Sequence, residues 1–141
     1  MLKRIFFILV PAIWLMGCAG TSQATTEITV EVTDFAYNPA SITMPVSQPV
    51  TLTLKNNGNV EHDFVVDKIN VTDVEASDTD SAMHHQMGDM PMYDLHFFAG
   101  AGDTATLKFT ALEPGTYEIF CSVEGHKEAG MIGQLIVVAQ E

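Results

Sequence analysis

"GTYEIFCSVEGHKEAGMIGQLIVVA", Gly115 to Ala139, carries two patterns in one stretch. Its ends, "GTYEIF" and "GQLIVVA", are short runs rich in β-branched and aromatic residues, the pattern of strands. Between them Cys121, His126 and Met131 follow at equal spacing, each separated from the next by four residues, among Gly125, Gly130 and Gly133. Alternate strand residues share a face, so Tyr117, Ile119 and Cys121 point the same way. Cys121 therefore ends an apolar face, and His126 and Met131 return on the loop behind it.

Outward from this stretch, period-two alternation recurs. In "EITVEVT" Ile28, Val30 and Val32 oppose Glu27, Thr29, Glu31 and Thr33; in "VTLTLKN" Val50, Leu52 and Leu54 oppose Thr51, Thr53 and Lys55. "EHDFVV" and "TATLKFT" add further strands, with turn signals at "NPA", "NNGN", "AGAGD" and "EPG". With no long helical stripe and no internal repeat, the pattern predicts an all-β fold, a Greek-key β-sandwich. One segment breaks the rhythm. Residues 72–92, "TDVEASDTDSAMHHQMGDMPM", are acidic and then rich in Met and His, and are expected to form a surface excursion between strands.

The chain has 141 residues, room for one ordinary domain. Its start reads as a leader: Lys3 and Arg4, an apolar run from Ile5 to Met16, then "LMGC" ending at Cys18. The run is short for a membrane span. "LMGC" resembles a bacterial lipobox, which implies cleavage before Cys18 and lipidation of Cys18; the alternative is an ordinary signal cut near Ala19 to Ala24. The expected division is a signal peptide over residues 1–17, a lipid-anchored tether over 18–26 and a domain over 27–141. The protein is then exported and held at a membrane outside the cytoplasm.

The formal net charge of −12 argues against nucleic-acid binding and for solubility or steering towards basic partners. There are two cysteines, and with Cys18 lipidated Cys121 has no disulfide partner. An odd thiol in an oxidising compartment fits metal ligation. His62 shares an inward strand face with Phe64 and Val66, and so aims into the sandwich from another strand. A thiolate, two imidazoles and a thioether (Cys121, His62, His126, Met131) suit one copper ion, which takes a His₂Cys plane with a weak axial Met in electron-transfer sites. Singly, a His or a buried Cys is usually structural; together at this spacing they read as a site.

"YEIFCSVEGHKEAGMIGQLIV" resembles the C-terminal signature of the cupredoxins, the small blue copper proteins, with a Cys-x4-His-x4-Met spacing similar to azurins and auracyanins and longer than that of plastocyanins. The likeness extends to "NNGNVEHDFVV" and "PGTYEIFC", and covers Glu27 to Val138. It implies the same four copper ligands, with His126 nearest the surface in an apolar patch to which Ala129, Gly130 and Ile132 contribute. Two departures stand out: Asp63 where cupredoxins often have Asn beside the first His, and "EGH", with Glu124, where many read "PGH". Both add negative charge near the site, which favours Cu(II) and a lower reduction potential. Ser122 is expected to brace the loop, and backbone N–H groups to donate to the sulfur.

The resulting expectation is a one-electron carrier with one type 1 copper, monomeric, exchanging electrons with a cytochrome, a respiratory or photosynthetic complex, or a copper enzyme. The alternative is copper trafficking, storage or resistance through a second copper site at Met83, His84, His85, Met87, Met90 and Met92, with His96 beyond. Against that stands a loop whose Met residues only cover the sandwich or a partner. Catalysis is not expected: copper enzymes built on such domains need further centres and domains, and the sequence holds no Ser/His/Asp order or phosphate-cradling glycine loop.

Overall fold

The computed structural model describes residues 25–77 and 93–139. The leader, Cys18 and the Met/His cluster at residues 83–92 lie outside the described residues. All elements of the described residues are strands: β1 (Thr26–Thr33), β2 (Ala36–Asn38), β3 (Ser41–Pro45), β4 (Pro49–Asn56), β5 (His62–Val66), β6 (Val71–Ser77), β7 (Leu95–Ala99), β8 (Thr104–Ala111), β9 (Gly115–Phe120) and β10 (Ile132–Val138). They form two five-stranded sheets, ordered β2-β1-β4-β8-β6 and β3-β10-β9-β5-β7.

The chain passes from one sheet to the other between β2 and β3 and at every connection from β3 to β9, which gives the crossing connections of a Greek-key sandwich. Both sheets are mixed. β1 runs parallel to β4 and β3 parallel to β10, while the remaining pairs are antiparallel. Between the sheets lies one core. Val30 and Val32 of β1, Leu52 and Leu54 of β4, Phe64, Phe97, Leu107, Phe109, Ile119 and Leu135 are all essentially inaccessible to solvent. Burying such side chains is the main driving force of the fold, about 1.5–3 kcal/mol each.

The alternation in "VTLTLKN" is realised directly: Val50, Leu52, Leu54 and then Asn56 face the core while the threonines between them are half-buried. Two boundaries differ from expectation. Thr26, assigned to the tether, opens β1 and pairs with Val50. Of the excursion assigned to residues 72–92, Thr72 to Ser77 belong instead to strand β6 (Val71–Ser77), paired with β8, and the remainder lies outside the described residues. β6 is an edge strand whose residues after Val71 are exposed, so hydrogen bonding holds it without an apolar face for alternation to reveal. A bulge between Thr72 and Glu75, with Asp73 at φ 55°, further breaks its period.

Candidate metal centre

His62 opens β5, and what precedes it fixes where that strand begins. Asn56, buried at the end of β4, donates through Nδ2 to the carbonyls of Val60 (2.7 Å) and Ala99 (2.9 Å) and accepts the N–H of Gly58 at 2.8 Å. One side chain thus pins the turn before β5 to the end of β7. A Cβ at Gly58 would lie 3.3 Å from His62 Nε2, so the turn passes close over the imidazole.

Cys121 follows the last residue of β9 and keeps the inward parity of Ile119. The segment after it closes on itself turn by turn. His126 N–H donates to Val123 O and Gly130 N–H to Lys127 O (each 3.0 Å); Met131 N–H donates to His126 O at 3.0 Å and Cys121 N–H to Met131 O at 3.2 Å. Gly125 and Gly130 have φ of 83° and 98°, a region that side-chain-bearing residues rarely adopt.

These elements bring His62, Cys121 and His126 together from two parts of the chain, with one donor atom of each within 4.8 Å of the others. Cys121 Sγ lies 3.3 Å from His126 Nδ1, and the two imidazole centroids are 5.0 Å apart. Met131 is fully buried, and its backbone is bonded to both Cys121 and His126. His62, Cys121 and Met131 are inaccessible to solvent, while His126 keeps 8% of its surface exposed. As its place on the loop implies, His126 comes nearest the surface.

The donor set fits a soft metal ion. Both ring nitrogens of His62 are buried without a hydrogen-bond partner among the described residues, a costly arrangement for a polar group unless it binds something. Burial, with His126 beside it, holds the His62 pKa below its ordinary value against the opposing pull of Asp63 and Asp34, so the ring is kept neutral and able to ligate. Burial also pushes the Cys121 thiol up, partly offset by the N–H groups of Asp63 and Val123 and reinforced by the Asp63 and Glu61 carboxylates. A bound cation is what converts such a thiol to thiolate.

Around the donors sits a polar frame. Asp63 N–H donates to Cys121 Sγ at 3.3 Å, the kind of sulfur contact expected. Ser122 Oγ donates to Asp63 Oδ2, so the residue after Cys121 braces the loop, as anticipated, and Asp63 accepts that brace with a carboxylate. Tyr37 OH donates to Asp63 O at 2.5 Å; burial, then Cys121 and Asp63, raise its pKa far above the usual phenol value and keep it a donor. Ala129 and Gly130 are exposed and Ile132 is 49% exposed, where an apolar rim was expected.

Two contributors are not apparent from motifs. Asn56 carries a parity signal, since it continues the inward face of Val50, Leu52 and Leu54. Phe35, in the β1–β2 turn, packs its ring edge-on against His126 with centroids 4.9 Å apart, yet is 43% exposed and sits at φ 68°. Nothing local in "TDFAYN" signals that contact.

Residues 24–138 match the family described as copper binding proteins, plastocyanin/azurin family. The chain is a cupredoxin. It is 30% identical over 124 residues to the copper-resistant cuproprotein CopI of Rubrivivax gelatinosus, covering 86% of this chain and 70% of that one. To auracyanin-A of Chloroflexus aurantiacus it is 27% identical over 126 residues, covering 84% and 77%. Its structure superposes on a dithionite-reduced auracyanin from Roseiflexus castenholzii with a TM-score of 0.61 at 26% identity, covering 82% of the cupredoxin and 98% of that chain. The cupredoxin therefore binds copper, and the His/Cys/His cluster with Met131 beside it is the place in the described residues built to hold one ion.

Proposed function

We propose that this cupredoxin is a one-electron carrier whose type 1 copper is held by His62, Cys121, His126 and Met131. The observation that carries the reading is two imidazoles and a buried thiol converging within 4.8 Å in a solvent-excluded pocket, with the thioether-bearing residue tied to two of them. Bound copper supplies a Cu(I)/Cu(II) couple in such a site.

The protein's own residues do the rest. The hydrogen-bonded turns from Ser122 to Met131 and the Asn56 brace hold the donors in one arrangement, so little has to reorganise when an electron arrives or leaves. Core packing excludes water from Cys121 and Met131. The partly exposed edge of His126, flanked by Phe35, is the shortest way from the donors to the surface. A carrier turns over no substrate, and no residue is assigned a catalytic role.

The names of the relatives divide between auracyanin and a copper-resistance protein, so copper handling is the second reading. The Met/His composition of residues 83–92 favours it, as a site for loading or sequestering copper. Copper-loaded protein separates the two. A carrier shows the intense thiolate-to-copper band and reversible one-electron voltammetry, and Cys121→Ser abolishes the band. A colourless protein that yields Cu(I) readily to a chelator overturns the carrier reading in favour of handling. Unchanged copper stoichiometry after replacing the Met and His residues of 83–92 by Ala removes the second site.

The leader supports export, with "LMGC" favouring a lipid on Cys18 and attachment outside the cytoplasmic membrane. Mass spectrometry of the mature protein tests this; an unmodified N-terminus beyond Cys18 refutes the anchor. The partners proposed are redox proteins that meet the molecule at the His126 end.

A further inference from the structure

Asp63 is a carboxylate with 7% of its side chain exposed, next to His62 in sequence and bonded through its backbone to Cys121 Sγ. A buried carboxylate is costly unless compensated. Ser122 Oγ donates to its Oδ2, and His96 Nε2 lies 3.4 Å from the same oxygen. That distance is long for a hydrogen bond but close for an electrostatic pair. The pairing of β5 with β7, Asp63 opposite Phe98 and Val65 opposite His96, puts Asp63 and His96 on one face as diagonal neighbours. Tyr93 packs edge-on against His96 (5.9 Å between centroids) and against Phe120 (5.6 Å), the residue before Cys121. His96 is thus seated between the buried carboxylate and an aromatic that reaches back to the Cys121 strand.

We propose that His96 is a positioning residue of the copper centre, acting through Asp63: it compensates the buried carboxylate and keeps it engaged with Ser122 and the Cys121 loop. An ionised carboxylate only accepts, so the contact is attractive whenever Nε2 carries a proton, in the neutral Nε2–H tautomer and in imidazolium alike. Without His96 the Asp63 charge beside the thiolate is less balanced, Cu(II) is favoured, and the reduction potential falls. The redox consequence rests on the electron-carrier reading; the His96–Asp63 coupling needs no copper.

The test is a double-mutant cycle of His96→Phe, Asp63→Asn and the pair, read in two ways, with His96→Gln as the conservative variant. In copper-loaded protein His96→Phe shifts the midpoint potential downward, His96→Gln retains it through its amide N–H, and in the Asp63→Asn background His96→Phe shifts it no further. In copper-free protein the urea-unfolding midpoint falls in His96→Phe and the loss vanishes when Asp63→Asn is added. Effects of His96→Phe that are the same in both backgrounds overturn the proposal. Should His96→Phe fail to fold, recovery of the fold in the double variant is the same coupling at its extreme, and failure of both overturns it. A wild-type protein without the thiolate-to-copper band defeats the carrier reading alone, since the copper-free cycle still decides on His96.

Discussion

Asp63 lies against the donor set, next to His62 in sequence and with its N–H on Cys121 Sγ, and its sign has a consequence. Its backbone N–H reaches Cys121 Sγ while its carboxylate accepts from Ser122. Asp63→Asn keeps an acceptor for Ser122 and removes the charge, so Cu(II) loses stabilisation and the potential rises. The expected rise is on the order of 60 mV, a tenfold change in relative affinity for one electron. Voltammetry showing an equal or lower potential would reject this account. The donors themselves set a pH window for the copper-free protein. His62 has a folded pKa below its ordinary 6.5, so its neutral form supports the fold above that value and stability is lost as pH falls through and below it. The Cys121 thiol has a folded pKa above its ordinary 9.0, so stability is full below that value and is lost as pH rises past it. The urea midpoint of copper-free protein is therefore expected to decline on both sides of the 6.5–9.0 window, and bound copper, by fixing both groups in their ligating forms, steepens the acid limb. A midpoint that climbs on acidification below 6.5 contradicts the burial of neutral His62. Cys121, His126 and Met131 were legible in the sequence because they stand at regular spacing on one loop, and strand parity aimed Cys121 and His62 inward. His96 was not, since it stood in the sequence beside a Met/His-rich run and only strand pairing places it against Asp63.

At the scale of elements, the β4–β5 connection carries a constraint out of proportion to its length. Asn56 satisfies two carbonyls and one N–H, and through them ties the turn before His62 to the last residue of β7. Each such bond contributes about 0.5–1.5 kcal/mol, and a stranded buried partner costs more than the bond itself. Asn56→Ala is therefore expected to lower the unfolding free energy by about 2–4 kcal/mol and to weaken copper binding, because His62 enters from a loosened turn. A loss under about 0.5 kcal/mol in urea unfolding, with unchanged copper affinity, rejects the bracing role. The same elements show which strands a sequence discloses. β4 alternates because one face meets the core and the other is partly wet. β5 is buried throughout, and "HDFVV" betrays a strand by residue type rather than by alternation. β7, with Phe98 buried on the face opposite Phe97, lacks the period as well, and β6 at the sheet edge has almost no apolar side to display. Period disclosed β4, residue type disclosed β5, and β6 and β7 needed their neighbours.

For the molecule as a whole, the decisive property is charge: a formal −12 spread over 141 residues, with 18 acidic side chains against six basic. Around the His126 end the exposed or half-buried acids include Asp34, Glu61, Glu124 and Glu128, with Lys127 among them drawn towards Glu118 at 2.6 Å and lying 4.0 Å over the Phe120 ring. The apolar contacts available there, Phe35 and Ile132, are therefore ringed by negative potential. On the proposed carrier reading, two copies that meet through their His126 edges to exchange an electron must bring like charges together, whereas a basic redox partner would be drawn to the same surface. Salt weakens both forces, since the Debye length contracts to about 8 Å at physiological ionic strength. Raising ionic strength is thus expected to accelerate electron self-exchange between reduced and oxidised copies and to slow reduction of a basic protein such as a cationic cytochrome, the latter by about tenfold or more from low to high salt. Line broadening in mixtures of the two redox states measures the first rate and stopped-flow spectroscopy the second. The opposite signs are the substance of the prediction: viscosity or a general change in the protein would move both rates together, and only a negative field at the electron's exit drives them apart. If both rates fall with salt, the electron leaves by another face, and the role given to the His126 edge goes with it.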